Sequence, residues 1–125
     1  MNGKYLLDSN IIIGLFAKDE AIESHLQKAE EVFVPNTGLG ELYFGARQSK
    51  RVEENLSRLD EFAANNVILS SDFETAWLYG LIKSELKLKG KPIPENDIWI
   101  AAIAKQFDLA LASRDYILKK LTTCL

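Results

Sequence analysis

KYLLDSNIIIGLFA, residues 4–17, changes its period at Asp8, and that change decides the fold. The short apolar run KYLLD (4–8) reads as a strand, whereas Ser9 to Ala17 carries the spacing of a helix. The same alternation recurs along the chain. VFVP (32–35), NVILS (66–70) and LALAS (109–113) are further strand candidates. Helical patterns lie between them, over Glu20–Glu31, Leu39–Gln48, Val52–Ala64, Asp72–Leu88 and Asp97–Phe107. GKPIP (90–94) separates the last two, because Gly and two prolines do not continue a helix. The connections are too long for hairpins and suit helical crossovers. The expected class is therefore α/β, with a mainly parallel sheet covered on both faces.

The helical stripes indicate which faces are buried. Leu39, Leu42, Tyr43 and Ala46 form one, and Leu56, Leu59 and Phe62/Ala63 another; DIWIAAIAKQF (97–107) is apolar nearly all round, as a buried helix is. A chain of 125 residues, 47% apolar, with no linker, repeat or low-complexity stretch, is expected to form a single domain over residues 1–125. The only cysteine, Cys124, permits no intramolecular disulfide and no cysteine-based zinc site, which suits a reducing, cytoplasmic setting. The N-terminal segment is interrupted by Asp8, Ser9 and Asn10 and resembles no leader peptide, and no apolar run approaches the roughly 20 residues needed to cross a bilayer.

The net charge of −3 does not advertise a polyanionic partner, but two local basic stretches do not follow it. Arg47, Lys50 and Arg51 form one, and Lys83, Lys87, Lys89 and Lys91 the other. Each alone reads as a solvated helix face.

Most acids sit among polar neighbours; four do not. Asp8 ends the first strand, Asp97 begins the apolar helix, Asp115 follows the fourth strand, and Glu41 lies inside TGLGELYFGA (37–46). In a parallel α/β sheet all strand-to-helix junctions lie on one edge, at the carboxyl ends of the strands, where such folds place their sites. Each aspartate alone is well explained as a helix cap or a first-turn acid. Together, four converging carboxylates would repel one another unless a divalent cation compensated them. Oxygen ligands without His or Cys favour Mg²⁺ or Mn²⁺ over zinc. Thr37 and Ser113 are possible polar lining beside the acids. His25, the only histidine, falls in a charged helix and reads as a surface residue. GLGELYFG (38–45) lacks the lysine and hydroxyl of a phosphate loop, and no Gly-x-Ser-x-Gly elbow occurs.

YLLDSNIII (5–13), TGLGELYFGA (37–46), PIPENDIWIAAIA (92–104) and LALASRD (109–115), taken in order, resemble the PIN-domain ribonucleases, and among them the VapC toxins of toxin-antitoxin pairs. The resemblance implies a three-layer PIN-like fold with four to five strands. It implies metal-dependent hydrolysis of phosphodiester bonds in RNA, with Asp8, Glu41, Asp97 and Asp115 at the family's acidic positions and Asn10 and Ser113 as polar neighbours. Asp8 and Asp97 are expected to hold the cation, Asp115 to support a second one or orient water, and Glu41 to complete the shell or act as a base. Lys83, Lys87, Lys89 and Lys91 are expected to guide the RNA backbone. The resemblance further implies a homodimer and a small antitoxin whose basic side chain blocks the acidic cleft. One departure is that only YILKKLTTCL (116–125) follows the last acid, so the fifth strand is expected to be short or missing.

A competing reading is a partner-binding module without catalysis, either an inactive PIN-like domain or a phospho-receiver. A receiver needs an aspartate ending a middle strand, and here the third strand ends in Leu69-Ser70-Ser71. An inactive PIN-like domain would lack some of the acids, and all four are present.

Overall fold

The structure is a computed structural model that describes residues 3–113. Ten elements follow one another: β1 (Lys4–Leu7), α1 (Ser9–Phe16), α2 (Glu20–Gln27), β2 (Glu31–Pro35), α3 (Asn36–Arg47), α4 (Val52–Ala64), β3 (Val67–Leu69), α5 (Phe73–Leu88), α6 (Glu95–Gln106) and β4 (Ala110–Ala112). The strands form one parallel sheet in the order β3-β2-β1-β4, with Tyr5 opposite both Val32 and Ala110, and Val34 opposite Ile68. The α/β class and the parallel sheet read from the sequence are those observed.

Neighbouring residues of a strand point to opposite faces, and β1 shows what that requires in a sheet covered on both sides. Leu7 packs with Ile11, Ile12, Ile22, Val34, Leu42 and Leu59 under α1 to α4. Leu6 packs on the other face with Ile100, Ile103 and Leu111 under α6. Both leucines are fully buried. A third cluster, Leu78, Ile82, Leu86, Ile98, Ala101 and Ala102, joins α5 to α6. The stripes expected on α3 and α4 face the core, with Leu42, Ala46 and Leu59 buried and Leu39, Tyr43, Leu56 and Phe62 packed against them.

Three boundaries differ from the sequence reading by two residues or more. The second helix stops at Gln27 and does not reach Glu31. The amides of Glu30 and Glu31 donate to the Gly3 carbonyl (2.8 and 3.3 Å), and Glu31 pairs with Lys4, so sheet pairing takes residues that helical spacing would have kept. The third helix starts at Asn36, not Leu39, directly from β2 with Pro35 as its cap residue. Gly38 suits this tight start: a Cβ there would lie 3.3 Å from Pro35 Cγ, closer than such contacts usually come, while Ile100 Cδ1 of α6 is at an ordinary contact distance of 3.8 Å. The sixth helix begins at Glu95, two residues before Asp97, because the proline that breaks helix periodicity is tolerated as the residue leading into one. The expectation for a fifth strand lies outside the described residues.

Helices α1, α3 and α5 each follow a strand and so begin at the carboxyl edge of the sheet. Asp8 caps α1, and α3 continues from β2. Helix α6 leads into β4 from its far end and, at 12 residues, is roughly 18 Å long, so its first turn also reaches that edge. Among the described residues, no helix is long and apolar enough to cross a membrane.

Candidate active site

Asp8 is only 4% exposed, and its carboxylate is held from two sides. The Ile11 amide donates to Oδ1 at 2.9 Å, the usual bond of an N-cap, and the Ser113 hydroxyl donates to Oδ2. The Asp8 amide in turn donates to the Ala112 carbonyl (3.2 Å), so the ends of β1 and β4 are tied together by backbone and side chain. The local sequence explains this: after Leu7 the chain leaves the sheet, and an aspartate satisfies the first amides of the following helix.

Glu41 reaches the same edge from the second turn of α3. Its Oε1 accepts from the Ser9 hydroxyl at 3.3 Å, one residue beyond Asp8. Its side chain is exposed, and it also borders a cleft of about 300 Å³ whose walls are Ile13, Phe16, Leu42, Ala46 and Leu59 of α1, α3 and α4. Asn10 lies on the first turn of α1 and is exposed.

Asp97 is half-buried in the first turn of α6. Of the two structural alternatives for Asp97, a first-turn acid is what is observed, whereas the cap position belongs to Pro94 and no side chain caps the helix. Asp97 shares a helix face with Ile100, whose Cδ1 lies beside Gly38 of α3, so the face bearing Asp97 turns toward the helix bearing Glu41. Among the described residues, no three acidic, His or Cys side chains close into a ready metal cluster. Asp115, the fourth acid, lies outside the described residues.

The lysine run is divided. Lys83 forms a 2.6 Å ion pair with Glu95 Oε1 and donates to the Tyr79 hydroxyl at 3.1 Å, while that hydroxyl donates to Glu95 Oε2. These bonds, Lys83 first and Tyr79 second, hold the Glu95 carboxyl below its ordinary range, and Glu95 holds the Lys83 ammonium above its own. Lys87, Lys89 and Lys91 are exposed at the end of α5 and in the turn after it. The chain turns there at Gly90 (φ 65), where the amides of Gly90 and Lys91 close the helix onto Lys87 and Leu86 carbonyls. Sequence reading missed Glu95 as a partner of Lys83. The two are 12 residues apart across a Gly/Pro turn, and only the i,i+4 pair Tyr79 and Lys83 offered a local sign of the cluster.

Known proteins share this architecture. Residues 5–123 match the PIN domain. Ribonuclease VapC2 of Haemophilus influenzae is 37% identical over 114 residues, covering 90% of this chain and 86% of that protein. The chain belongs to the VapC family of PIN-domain ribonucleases. A tRNA(fMet)-specific endonuclease VapC of Shigella flexneri is 27% identical over 114 residues, covering 90% of this chain and 86% of its own length. Among solved structures, VapBC2 from Rickettsia felis bound to a DNA fragment from its promoter superposes with a TM-score of 0.82 at 28% identity, covering 90% of this chain and 87% of that one. VapBC-1 from nontypeable Haemophilus influenzae gives 0.87 at 25% identity, covering 98% and 94%.

Proposed function

We propose that this protein is a Mg²⁺- or Mn²⁺-dependent endoribonuclease, the toxin of a toxin-antitoxin pair, which acts in the cytoplasm through a single domain spanning residues 1–125. The observation that carries the reading is the buried Asp8 carboxylate at the carboxyl edge of the sheet, tied to β4 through Ser113 and one residue from the Ser9 to Glu41 bond. The donor set fits a hard cation: it consists of carboxylate oxygens, and among the described residues the two hydrogen bonds on Asp8 leave lone pairs on both of its oxygens. Asp8 and Asp97 would hold the cation, with Asp115 supporting them. When bound, such a cation polarises a phosphodiester oxygen and lowers the pKa of water toward neutrality.

The chain's own residues supply the rest. The Ile11 amide and the Ser113 hydroxyl fix the Asp8 carboxylate in one orientation. Ser9 steadies Glu41, which would accept a proton from attacking water or complete the ligand shell. Lys87, Lys89 and Lys91 supply exposed cations that offset the repulsion between an acidic site and the RNA backbone.

Two partners belong to the same proposal. The structures of related VapBC complexes support a small antitoxin as partner. The apolar cleft between α1, α3 and α4 suits a segment of such a protein, because Glu41 borders it and would bring an inserted arginine against the carboxylates. A second copy of this chain would cover α5, where Phe73 (87% exposed), Trp77 (64%) and Leu88 (85%) share one side with Leu81.

Calorimetric titration with Mn²⁺ beside a cleavage assay on single-stranded RNA tests the nuclease reading. Wild type should bind and cut, EDTA should stop cutting, and an Asp8→Asn, Asp97→Asn double variant should do neither. Unchanged Mn²⁺ binding in the double variant overturns the assignment of these ligands.

A further inference from the structure

The first turn of α6 carries Asp97 but has no side chain capping it. The amides of Asp97 and Ile98 both turn back to the Pro94 carbonyl (3.0 and 3.2 Å), and the segment before it, from Gly90 to Pro94, is largely exposed. A helix end of this kind frays unless something outside it holds it. Neighbouring α5 does so with two residues, Tyr79 and Lys83. The Tyr79 hydroxyl donates to Glu95 Oε2, and the Tyr79 ring stacks on Trp99 with centroids 4.2 Å apart and planes 14° from parallel. Lys83, one turn on, takes the other oxygen of Glu95 at 2.6 Å and bonds the Tyr79 hydroxyl at 3.1 Å.

Positions 95 and 99 lie one above the other on a helix, and position 97 is turned about 200° away from 95. Tyr79 therefore grips α6 at both ends of the turn that contains Asp97, on the side opposite Asp97. An isolated exposed ion pair holds little, but both carboxylate oxygens of Glu95 are engaged at once and the ring stack fixes the donor.

We propose that Tyr79, Lys83 and Glu95 form a clamp that positions Asp97 for cation binding, so that Lys83 serves the site by holding α6 and not by attracting RNA. This rests on the reading of Asp97 as a ligand of the cation. A clamp and a simple charge effect predict opposite signs. Removing a cation near an acidic site tightens Mn²⁺ binding by Coulomb's law, whereas loosening the turn that presents Asp97 weakens it.

The test uses Lys83→Met, Tyr79→Phe and Lys83→Arg in the full chain, with Mn²⁺ affinity from calorimetry and amide hydrogen exchange at Asp97 and Ile98 in metal-free protein. Lys83→Met and Tyr79→Phe should each weaken Mn²⁺ binding three- to tenfold and speed exchange at both amides, with a melting temperature close to wild type. Lys83→Arg, which can again bond Glu95, should restore both readouts. Unchanged exchange, or tighter Mn²⁺ binding in Lys83→Met, overturns the clamp. Asp97→Asn separates the two layers: if it leaves Mn²⁺ affinity intact, the ligand reading fails, while the exchange rates still decide whether Tyr79 and Lys83 hold the turn.

Discussion

Replacing Asp8 by Asn and by Ala separates what its carboxylate does for the fold from what its charge does for the site. Asn is as good a helix cap as Asp, so its side-chain oxygen can keep the 2.9 Å bond from Ile11. On the other side, the Ser113 hydroxyl now donates to Oδ2; facing the amide of Asn, the same hydroxyl can accept, because it carries both functions. Asp8→Asn should therefore change stability by less than about 0.5 kcal/mol. Ala keeps neither bond. Loss of the cap costs about 1 kcal/mol, and loss of the charged acceptor used by Ser113 about 1 to 2 kcal/mol more. At roughly 4 °C per kcal/mol for a domain of this size, Asp8→Ala should melt about 8 to 12 °C below wild type and still be folded at 25 °C. Differential scanning calorimetry and RNA cleavage on the same samples give the answer. Both variants should lose cleavage, but only Ala should lose stability. If Asn melts as low as Ala, the two-sided hold on the carboxylate is wrong; if Asn still cuts RNA, Asp8 is a structural cap and not a ligand.

Reversing the charge of Lys87, Lys89 and Lys91 together should weaken RNA binding and flatten its dependence on salt, by about 0.7 in logarithmic slope for each lost phosphate contact, as read by fluorescence anisotropy over a salt series; an unchanged slope would assign these lysines to solvent. Trp77→Lys with Phe73→Ser should turn a dimer into a monomer by light scattering without altering the melting curve's shape, and a wild type that is already monomeric removes the α5 contact from consideration. Asp72 caps α5, and the Thr75 amide, followed by Gln106, holds its carboxyl below its ordinary value of 3.8. A lowered folded-state value means that its stabilisation is complete above the unfolded value and disappears as pH falls through the folded one. The gap in melting temperature between wild type and Asp72→Ala should thus be constant near neutral pH and narrow as pH falls below about 4; a gap that does not narrow there contradicts the charged capping arrangement.

The fold was legible because its signals are local. The two leucines of β1 announce a doubly covered strand, and the i, i+3, i+4 stripes of α3 and α4 were read on the correct faces. Boundaries were misjudged where a distant partner decides them. Glu31 joins a strand because Lys4 is beside it, and α3 starts early against Pro35, where Gly38 avoids a Cβ only 3.3 Å from Pro35 Cγ. Of the proposed site acids, Asp8 stood out in the sequence by its place where β1 passes into α1, whereas Glu41 and Asp97 lie within helices and stood out only by their apolar neighbours. What holds them was not legible. The bonds from Ser113 to Asp8 and from Ser9 to Glu41 span 105 and 32 residues, and the hold of Tyr79 and Lys83 on Glu95 crosses a turn that conceals the pairing.

The sequence also posed a choice, helix cap or functional carboxylate, which the geometry of Asp8 dissolves. A carboxylate offers about four lone-pair positions. Among the described residues, the cap and Ser113 use one position on each oxygen, so capping orients the group without consuming it. A buried ligand benefits from that arrangement: its orientation is fixed before a cation arrives, and less freedom is lost on binding. Asp97 presents the contrary case. It lies on a helix end that no side chain caps, and the proposed clamp from α5 would steady the turn that presents it. Two ligands of one proposed site are thus held by different means, one by the helix it begins and the other by a neighbouring helix, and a substitution far from the carboxylates should disturb the second far more than the first.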